Sequence, residues 1–254
     1  MSETAQATAA QLLDAAERQD GYRAACAASF SNAAARRRCT YRAAMVGPKD
    51  ADRLLAAVDS VPLLADATVV VMHSTAEGGY PHTRPGGLVC MPTRTIEGVS
   101  DAALLTTLRH EAVHLHQRAE PAAWLALCRR EGWEPVAAAA VPARLRGRVR
   151  LNPDTFWGAA GASHQFWAWE GRATPLPLFS TEQPSSIGDV VVKWLDTRSE
   201  QLVSSAPPSF QARYGSGGGG APSQPEHPFE LLAVEAADAG IGSKEGLVSK
   251  LFHE

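Results

Sequence analysis

Apolar and polar positions in the first part of the chain follow helical spacing. Residues 7–45 are rich in alanine, leucine and arginine and contain few helix breakers, which predicts two or three short helices. Gly47 then interrupts the pattern, and the apolar side chains of residues 49–58 lie on one face of a further helix. We therefore expect a helical N-terminal region over residues 1–60.

Two strands and a long helix are predicted next. Residues 67–73 form a β-branched run of strand length, and a second apolar run over residues 87–92 follows the turn-rich residues 77–81. Ser100 is a residue type that commonly begins a helix, and apolar residues recur after it at helical spacing until Pro121. This part of the chain is therefore expected to contain two neighbouring strands followed by one helix.

A third region is rich in tryptophan, proline and glycine. Residues 187–195 have the pattern of a strand, and residues 152–225 as a whole are predicted to be β-rich or irregular, ending in a Gly/Pro-rich loop. Residues 227–238 then have a proline at the first helical position and apolar residues at helical spacing. The predicted fold is therefore α+β, with a second domain over residues 61–254 that carries residues 152–225 as an insertion. The tryptophans of this insertion, expected in the core rather than in a substrate wall, are Trp157, Trp167, Trp169 and Trp194.

Composition narrows the choice of partners and compartment. Lysine and arginine number 24 against 27 aspartates and glutamates, and the net charge of −3 gives no general attraction to nucleic acid or to an anionic membrane. The four cysteines are scattered without a CxxC pair, which favours reduced, buried thiols. The N-terminus lacks the plan of a secretory signal, and no stretch has the length of a membrane span. We expect a soluble cytoplasmic protein, with the arginines of residues 144–150 on a solvated face and a contact with an acidic substrate or a phosphate as the alternative.

Metal-binding chemistry is indicated by the segment HEAVH. His110 and His114 are four residues apart on a predicted helix, so both imidazoles project from one face and can share one cation. Glu111 lies beside them, in a position to take a proton from a water molecule. A zinc ion held by three protein ligands keeps a fourth position for water and activates it. The spacing therefore predicts a catalytic zinc site.

The sequence around this motif resembles the gluzincin group of the zincin metallopeptidases. The segments LRHEAVHLHQR and HPFELLAVEAAD are similar to an HExVHxxQ motif followed downstream by a PFExxA stretch. These zincins take the third zinc ligand from a glutamate on a later helix, and the resemblance implies that Glu230 has this role. Glu226, in the loop before the predicted helix, and Glu235, more than a turn along it, are the alternatives.

The resemblance also implies a fold and an activity. It implies a zincin-like catalytic domain and a zinc-dependent metallopeptidase, in which activated water attacks an amide or peptide bond with Glu111 as general base. Such enzymes need a side chain that stabilises the oxyanion, and Tyr214 and His164 are the predicted choices. Residues 87–91 are similar in position to the edge strand that holds the substrate backbone, which implies a peptide-like substrate bound by strand addition. The other oxyanion candidates in suitable loops are Tyr80, His82, Arg84 and His227.

Two other functions remain open at this point. A small-molecule tailoring enzyme would keep the metal and enclose a non-peptide substrate within the tryptophan-rich insertion. A non-catalytic binding module would keep a structural metal and bind a partner through residues 144–150 and the glycine-rich loop. Glu111 argues against the binding module, because a structural metal site does not need this carboxylate.

Overall fold

The chain contains helices and strands along most of its length. The computed structural model describes residues 3–157, 165–215 and 225–252. The α-helices in these ranges are α1 (Glu3–Asp20), α2 (Tyr22–Ala28), α3 (Phe30–Ala35), α4 (Pro48–Asp59), α5 (Asp101–Ala119), α6 (Pro121–Arg130), α7 (Ala143–Arg146), α8 (Pro208–Tyr214), α9 (Pro228–Asp238) and α10 (Lys244–Leu247). The strands are β1 (Thr68–Met72), β2 (His82–Arg84), β3 (Leu88–Pro92), β4 (Trp133–Val136), β5 (Phe166–Trp169), β6 (Ala173–Phe179), β7 (Val190–Asp196) and β8 (Leu202–Val203). The mixture of helices and strands agrees with the predicted α+β class.

Contacts divide the chain into two compact units. The first unit contains Met1–Gly21, Arg36–Pro121 and Ala233–Glu254, and the second contains Tyr22–Ala35 and Ala122–Leu232. The last boundary falls inside helix α9, which is continuous across it. Among the helices of the described ranges, none is both long enough and apolar enough to cross a membrane.

The first unit is organised around a sheet in which the described strands have the order β1-β3-β2. Strand β3 pairs in parallel with β1 and in antiparallel with β2. Val89 and Met91 of this strand belong to one buried cluster with Leu104, Leu108 and Ala112 of α5. Because these three helix residues recur every four positions, they form one face of α5. The apolar face of the motif helix is therefore held against the sheet.

The position of β3 corrects the expectation for substrate binding. Residues 87–91 were expected to form an edge strand, but β3 is the central strand and is paired on both sides. It has no row of free N–H and C=O groups for another chain to pair with. The outer side of β1 is partly covered by residues 42–44, where the Ala44 N–H donates to the Val71 carbonyl (2.9 Å). The prediction of strand addition at residues 87–91 is therefore wrong.

The second unit contains an antiparallel sheet in which the described strands have the order β4-β5-β6-β7-β8. The sheet begins at Trp133, earlier in the chain than the predicted insertion. Phe210 of α8 contacts Trp133, Trp169 and Trp194 edge-to-face, with ring centroids 4.7–5.9 Å apart. These rings and Trp167 are buried. The prediction of core positions is thus confirmed for Trp167, Trp169 and Trp194.

Candidate metal centre

Helix α5 has two buried faces with different chemistry. Ser100 caps its N-terminus, because its Oγ accepts a hydrogen bond from the Ala103 N–H at 3.2 Å. At 100° per residue, the face of His110, His114 and Gln117 lies roughly 200° around the helix from the apolar face. His114 and Gln117 are nevertheless at most 1% exposed. Burying polar groups costs free energy unless they are bonded, so this face depends on specific contacts.

The two motif histidines point towards one another. Their Nε2 atoms are 3.0 Å apart. The Nδ1 of His114 lies 2.7 Å from the Oε1 of Gln117, an oxygen that only accepts, so Nδ1 carries the proton and Nε2 keeps its lone pair. Zinc–nitrogen bonds of about 2.0–2.1 Å at a tetrahedral angle put two ligand nitrogens roughly 3.3 Å apart. The histidine side chains of His110 and His114 therefore need only a small shift to share one ion.

The carboxylate of Glu230 is held in place by its own helix and by a loop. Glu230 lies in the first turn of α9, which His227 caps by accepting the Phe229 N–H on its Nδ1 at 3.2 Å. Asn152 Nδ2 donates to Glu230 Oε1 at 2.6 Å. Asn152 Oδ1 in turn accepts the Asp154 N–H at 3.1 Å. Because both ends of the Asn152 amide are bonded, the orientation of the Glu230 carboxylate is fixed.

Helices α5 and α9 bring the three predicted ligands together. One ligand atom from each of His110, His114 and Glu230 lies within 4.8 Å of the other two. In the part of the chain that the structure describes, this is the one cluster of three or more histidine, cysteine and acidic groups that could hold a metal ion. Two imidazole nitrogens and one carboxylate are the protein ligand set of several catalytic zinc sites. The residues present therefore fit a zinc ion.

The two alternative third ligands have other surroundings. Glu226 forms a short ion pair with Arg150, from Nη2 to Oε1. Burial raises the pKa of Glu226 in spite of the opposing charge of Arg150, and the nearby charge of Glu230 adds to the rise. Glu235 is half-buried and follows Glu230 by five residues, which turns it roughly 140° away on the helix. The placement of the three carboxylates favours Glu230 as the third ligand.

Glu111 lies on α5 between the face of the two histidines and the apolar face. Its side chain is 3% exposed. At 100° per residue it lies roughly 100° around the helix from His110 and roughly 60° from both His114 and Leu108. A carboxylate next to the ligands, largely shielded from solvent, is suited to proton transfer. Its role as general base stays a prediction.

Of the two residues predicted to stabilise the oxyanion, Tyr214 lies within the described residues and His164 lies outside them. Tyr214 ends α8 among the rings of Trp133, Trp169 and Phe210, and its hydroxyl accepts the Trp133 indole N–H at 3.3 Å. Burial raises the pKa of Tyr214 to about 12, so the hydroxyl stays protonated near neutral pH and can donate a hydrogen bond. The catalytic role of both residues stays a prediction.

The other oxyanion candidates make contacts that the sequence did not reveal. Arg84 is buried and forms an ion pair with Asp20 at 2.7 Å. His82 is buried, and its Nδ1 lies 3.2 Å from the Tyr80 carbonyl oxygen. The Tyr80 side chain is exposed. His227 caps α9, as described above. Arg84 and His227 thus have evident roles in holding local structure.

Sequence reasoning did not predict the partners of two polar residues near the candidate ligands. Asn152 and Arg150 lie in a loop, and their carboxylate partners are 78 and 76 residues away in the chain. Arg144 and Arg146 are exposed as expected for a solvated face, whereas Arg148 and Arg150 are half-buried. No local pattern identifies such residues, because their partners come from a distant helix and the loop before it.

Comparisons with known proteins do not identify a family. The chain matched no protein-family model, no curated protein and no solved structure. Its function is therefore inferred from the geometry and chemistry of the candidate metal centre.

Proposed function

We propose that this protein is a zinc-dependent hydrolase of amide or peptide bonds, with a zincin-like catalytic centre. The observation that carries the proposal is the convergence of His110, His114 and Glu230 within 4.8 Å, together with the buried Glu111, which follows His110 in the chain. A structural zinc site needs ligands only. The additional carboxylate on the ligand-bearing helix is what a hydrolytic site requires.

When bound, zinc would lower the pKa of a water molecule to about 7 and would polarise the substrate carbonyl. Glu111 would accept the proton of the attacking water on a carboxylate oxygen and deliver it to the leaving nitrogen. Gln117 holds the His114 ring in the tautomer that leaves Nε2 free of a proton. Asn152 orients the Glu230 carboxylate. These residues support hydrolysis without a covalent intermediate on the protein.

The alternative of a small-molecule tailoring enzyme gains no support from the tryptophans. That alternative expected them to enclose a substrate. In the described part of the second unit, Trp167, Trp169 and Trp194 are buried in the protein interior instead, and Trp157 is half-buried and stacks on Phe229. We therefore retain an amide or peptide as the proposed substrate.

The test is hydrolysis of a fluorogenic peptide library by the zinc-reconstituted protein. We expect cleavage by the wild type and loss of cleavage in Glu111→Gln, which keeps all three ligands and the side-chain volume. Equal zinc content of the two proteins would show that cleavage is lost because the carboxylate is missing and not because zinc is lost. Cleavage at equal rates in both proteins would refute the role of Glu111, and no cleavage of any peptide by zinc-loaded wild type would refute peptide hydrolysis.

A further inference from the structure

A pocket in the second unit lies where strands β5 and β6 separate. Among the described residues, the two strands share one residue pair, Trp169 with Ala173, next to their turn. On the side of β6 that faces β5, the next backbone nitrogens belong to Pro175 and Pro177. Proline has no N–H group to donate to a neighbouring strand. The Pro177 carbonyl instead accepts the Arg150 N–H at 2.8 Å. The two prolines therefore keep β5 away and leave space between the strands.

The lining of this pocket is partly apolar and partly charged. Its empty volume is about 420 Å³, including space open to solvent. Phe156, Phe166 and the two prolines are among its apolar walls. Its polar lining residues are Arg150, Asn152, Thr155, Gln165, Glu226 and His227. Such a mixture of apolar walls with a few polar groups is typical of a small-ligand site.

The charged part of the lining is an ion pair in which the Nε donor of Arg150 is not used. Arg150 binds one oxygen of Glu226 through Nη2, and the two side chains are 14% and 8% exposed. The Nε of Arg150 is buried and has no hydrogen-bond partner among the described residues. A buried donor without a hydrogen-bond partner is energetically unfavourable. A guanidinium can bind a carboxylate through two parallel N–H groups. Arg150 therefore has capacity for another acceptor.

We propose that this pocket binds a carboxylate group of a ligand through Arg150, and that Glu226 is an internal carboxylate that occupies Arg150 in the free protein. The planar fork of the guanidinium favours a carboxylate over a neutral amide. Two carboxylates beside one guanidinium repel each other, so the ligand competes with Glu226. Removing the Glu226 charge should therefore strengthen ligand binding.

The pocket is connected to the candidate metal centre by one residue. Asn152 lines the pocket and donates a hydrogen bond to Glu230. The carboxylate could thus belong to a substrate of the proposed hydrolase or to a separate small acid. Only the substrate version rests on the proposed function, because the pocket itself contains none of the three metal ligands.

The test is an NMR titration of the protein with glutarate and with its neutral analogue glutaramide. Metal is removed with a chelator, and His110→Ala is titrated in parallel, so that a carboxylate bound to zinc cannot be mistaken for one in the pocket. We expect glutarate to bind both proteins and glutaramide to bind at least about tenfold more weakly, a difference of about 1.4 kcal/mol.

Variants of the ion pair provide the decisive comparison. Glu226→Gln should tighten glutarate binding about tenfold or more without affecting glutaramide. The double variant Arg150→Gln/Glu226→Gln leaves no unpaired buried charge, and it should lose glutarate binding while keeping the wild-type circular dichroism spectrum. Equal binding of the two ligands, weaker glutarate binding in Glu226→Gln, or unchanged binding in a folded double variant would each overturn the proposal.

Two peptides that differ only by glutamate or glutamine distinguish the source of the carboxylate. A preference of the zinc-loaded enzyme for the glutamate peptide, increased by Glu226→Gln, would assign the pocket to the substrate. Equal cleavage together with glutarate binding would support the proposal with a separate small acid as the ligand. Because the titration requires no hydrolysis, failure of the proposed activity does not affect its outcome.

Discussion

Replacing Asn152 by alanine should weaken zinc binding without removing a ligand. The variant loses the 2.6 Å hydrogen bond that Asn152 Nδ2 donates to Glu230 Oε1. A hydrogen bond to a charged group contributes about 1.5–3 kcal/mol, and 1.4 kcal/mol corresponds to a factor of ten in affinity. The zinc dissociation constant should therefore rise about 10- to 100-fold, the usual range for residues that orient a metal ligand.

Competition with a chromophoric zinc chelator measures this change directly. The matched control is Thr155→Val in the same loop, whose hydroxyl makes only a 3.5 Å contact with the Asn152 carbonyl oxygen. We expect wild-type zinc affinity in the control, and unfolding curves of the metal-free proteins will show whether both variants fold. If folded Asn152→Ala binds zinc as tightly as the wild type, Asn152 does not position a metal ligand, and its hydrogen bond to Glu230 has no role in zinc binding.

Three further perturbations test separate parts of the structure. Gln117→Ala removes the acceptor of the His114 Nδ1 proton and should also weaken zinc binding about 10- to 100-fold by chelator competition. Burial alone would raise the pKa of Glu77, but Arg36 and other partners lower it below the ordinary value of 4.5. The ionised carboxylate therefore stabilises the fold at pH values above 4.5, and this stabilisation is lost as the pH falls through the lowered pKa. Glu77→Gln should therefore cost about 3–5 kcal/mol in urea unfolding at pH 7, with a smaller difference from wild type at pH 3; an equal difference at both pH values would contradict the ion-pair explanation. Ser100→Ala removes the cap of α5 and should lower the free energy of unfolding by about 1 kcal/mol. An unchanged free energy of unfolding would show that water bonds the Ala103 N–H as well as the Ser100 hydroxyl does.

The local part of the site could be predicted from the sequence. His110 and His114 are one helical turn apart, so the period of the helix alone places both imidazoles on one face. The same reasoning identified α9 from its first-turn proline and apolar spacing. Glu230 came from a resemblance between short segments, and the structure places it within reach of the histidines.

Long-range features of the fold could not be predicted in this way. The apolar run at residues 87–91 identifies a strand, but an apolar pattern does not tell whether that strand is central or at an edge. That depends on β1 and β2, which pair with it from both sides. The roles of Asn152 and Arg150 likewise depend on the carboxylates of Glu230 and Glu226, which lie 78 and 76 residues further along the chain.

The most direct test of the proposed metal centre is elemental analysis of the purified wild-type chain beside His110→Ala and Glu230→Ala. Glu111→Gln is the matched control, because it alters the motif but none of the proposed ligands. We predict one zinc per chain in the wild type and in Glu111→Gln, and loss of zinc in both ligand variants. Zinc retained in Glu230→Ala would contradict the third ligand, and no stoichiometric metal in the wild type after reconstitution with zinc would contradict the metal centre itself.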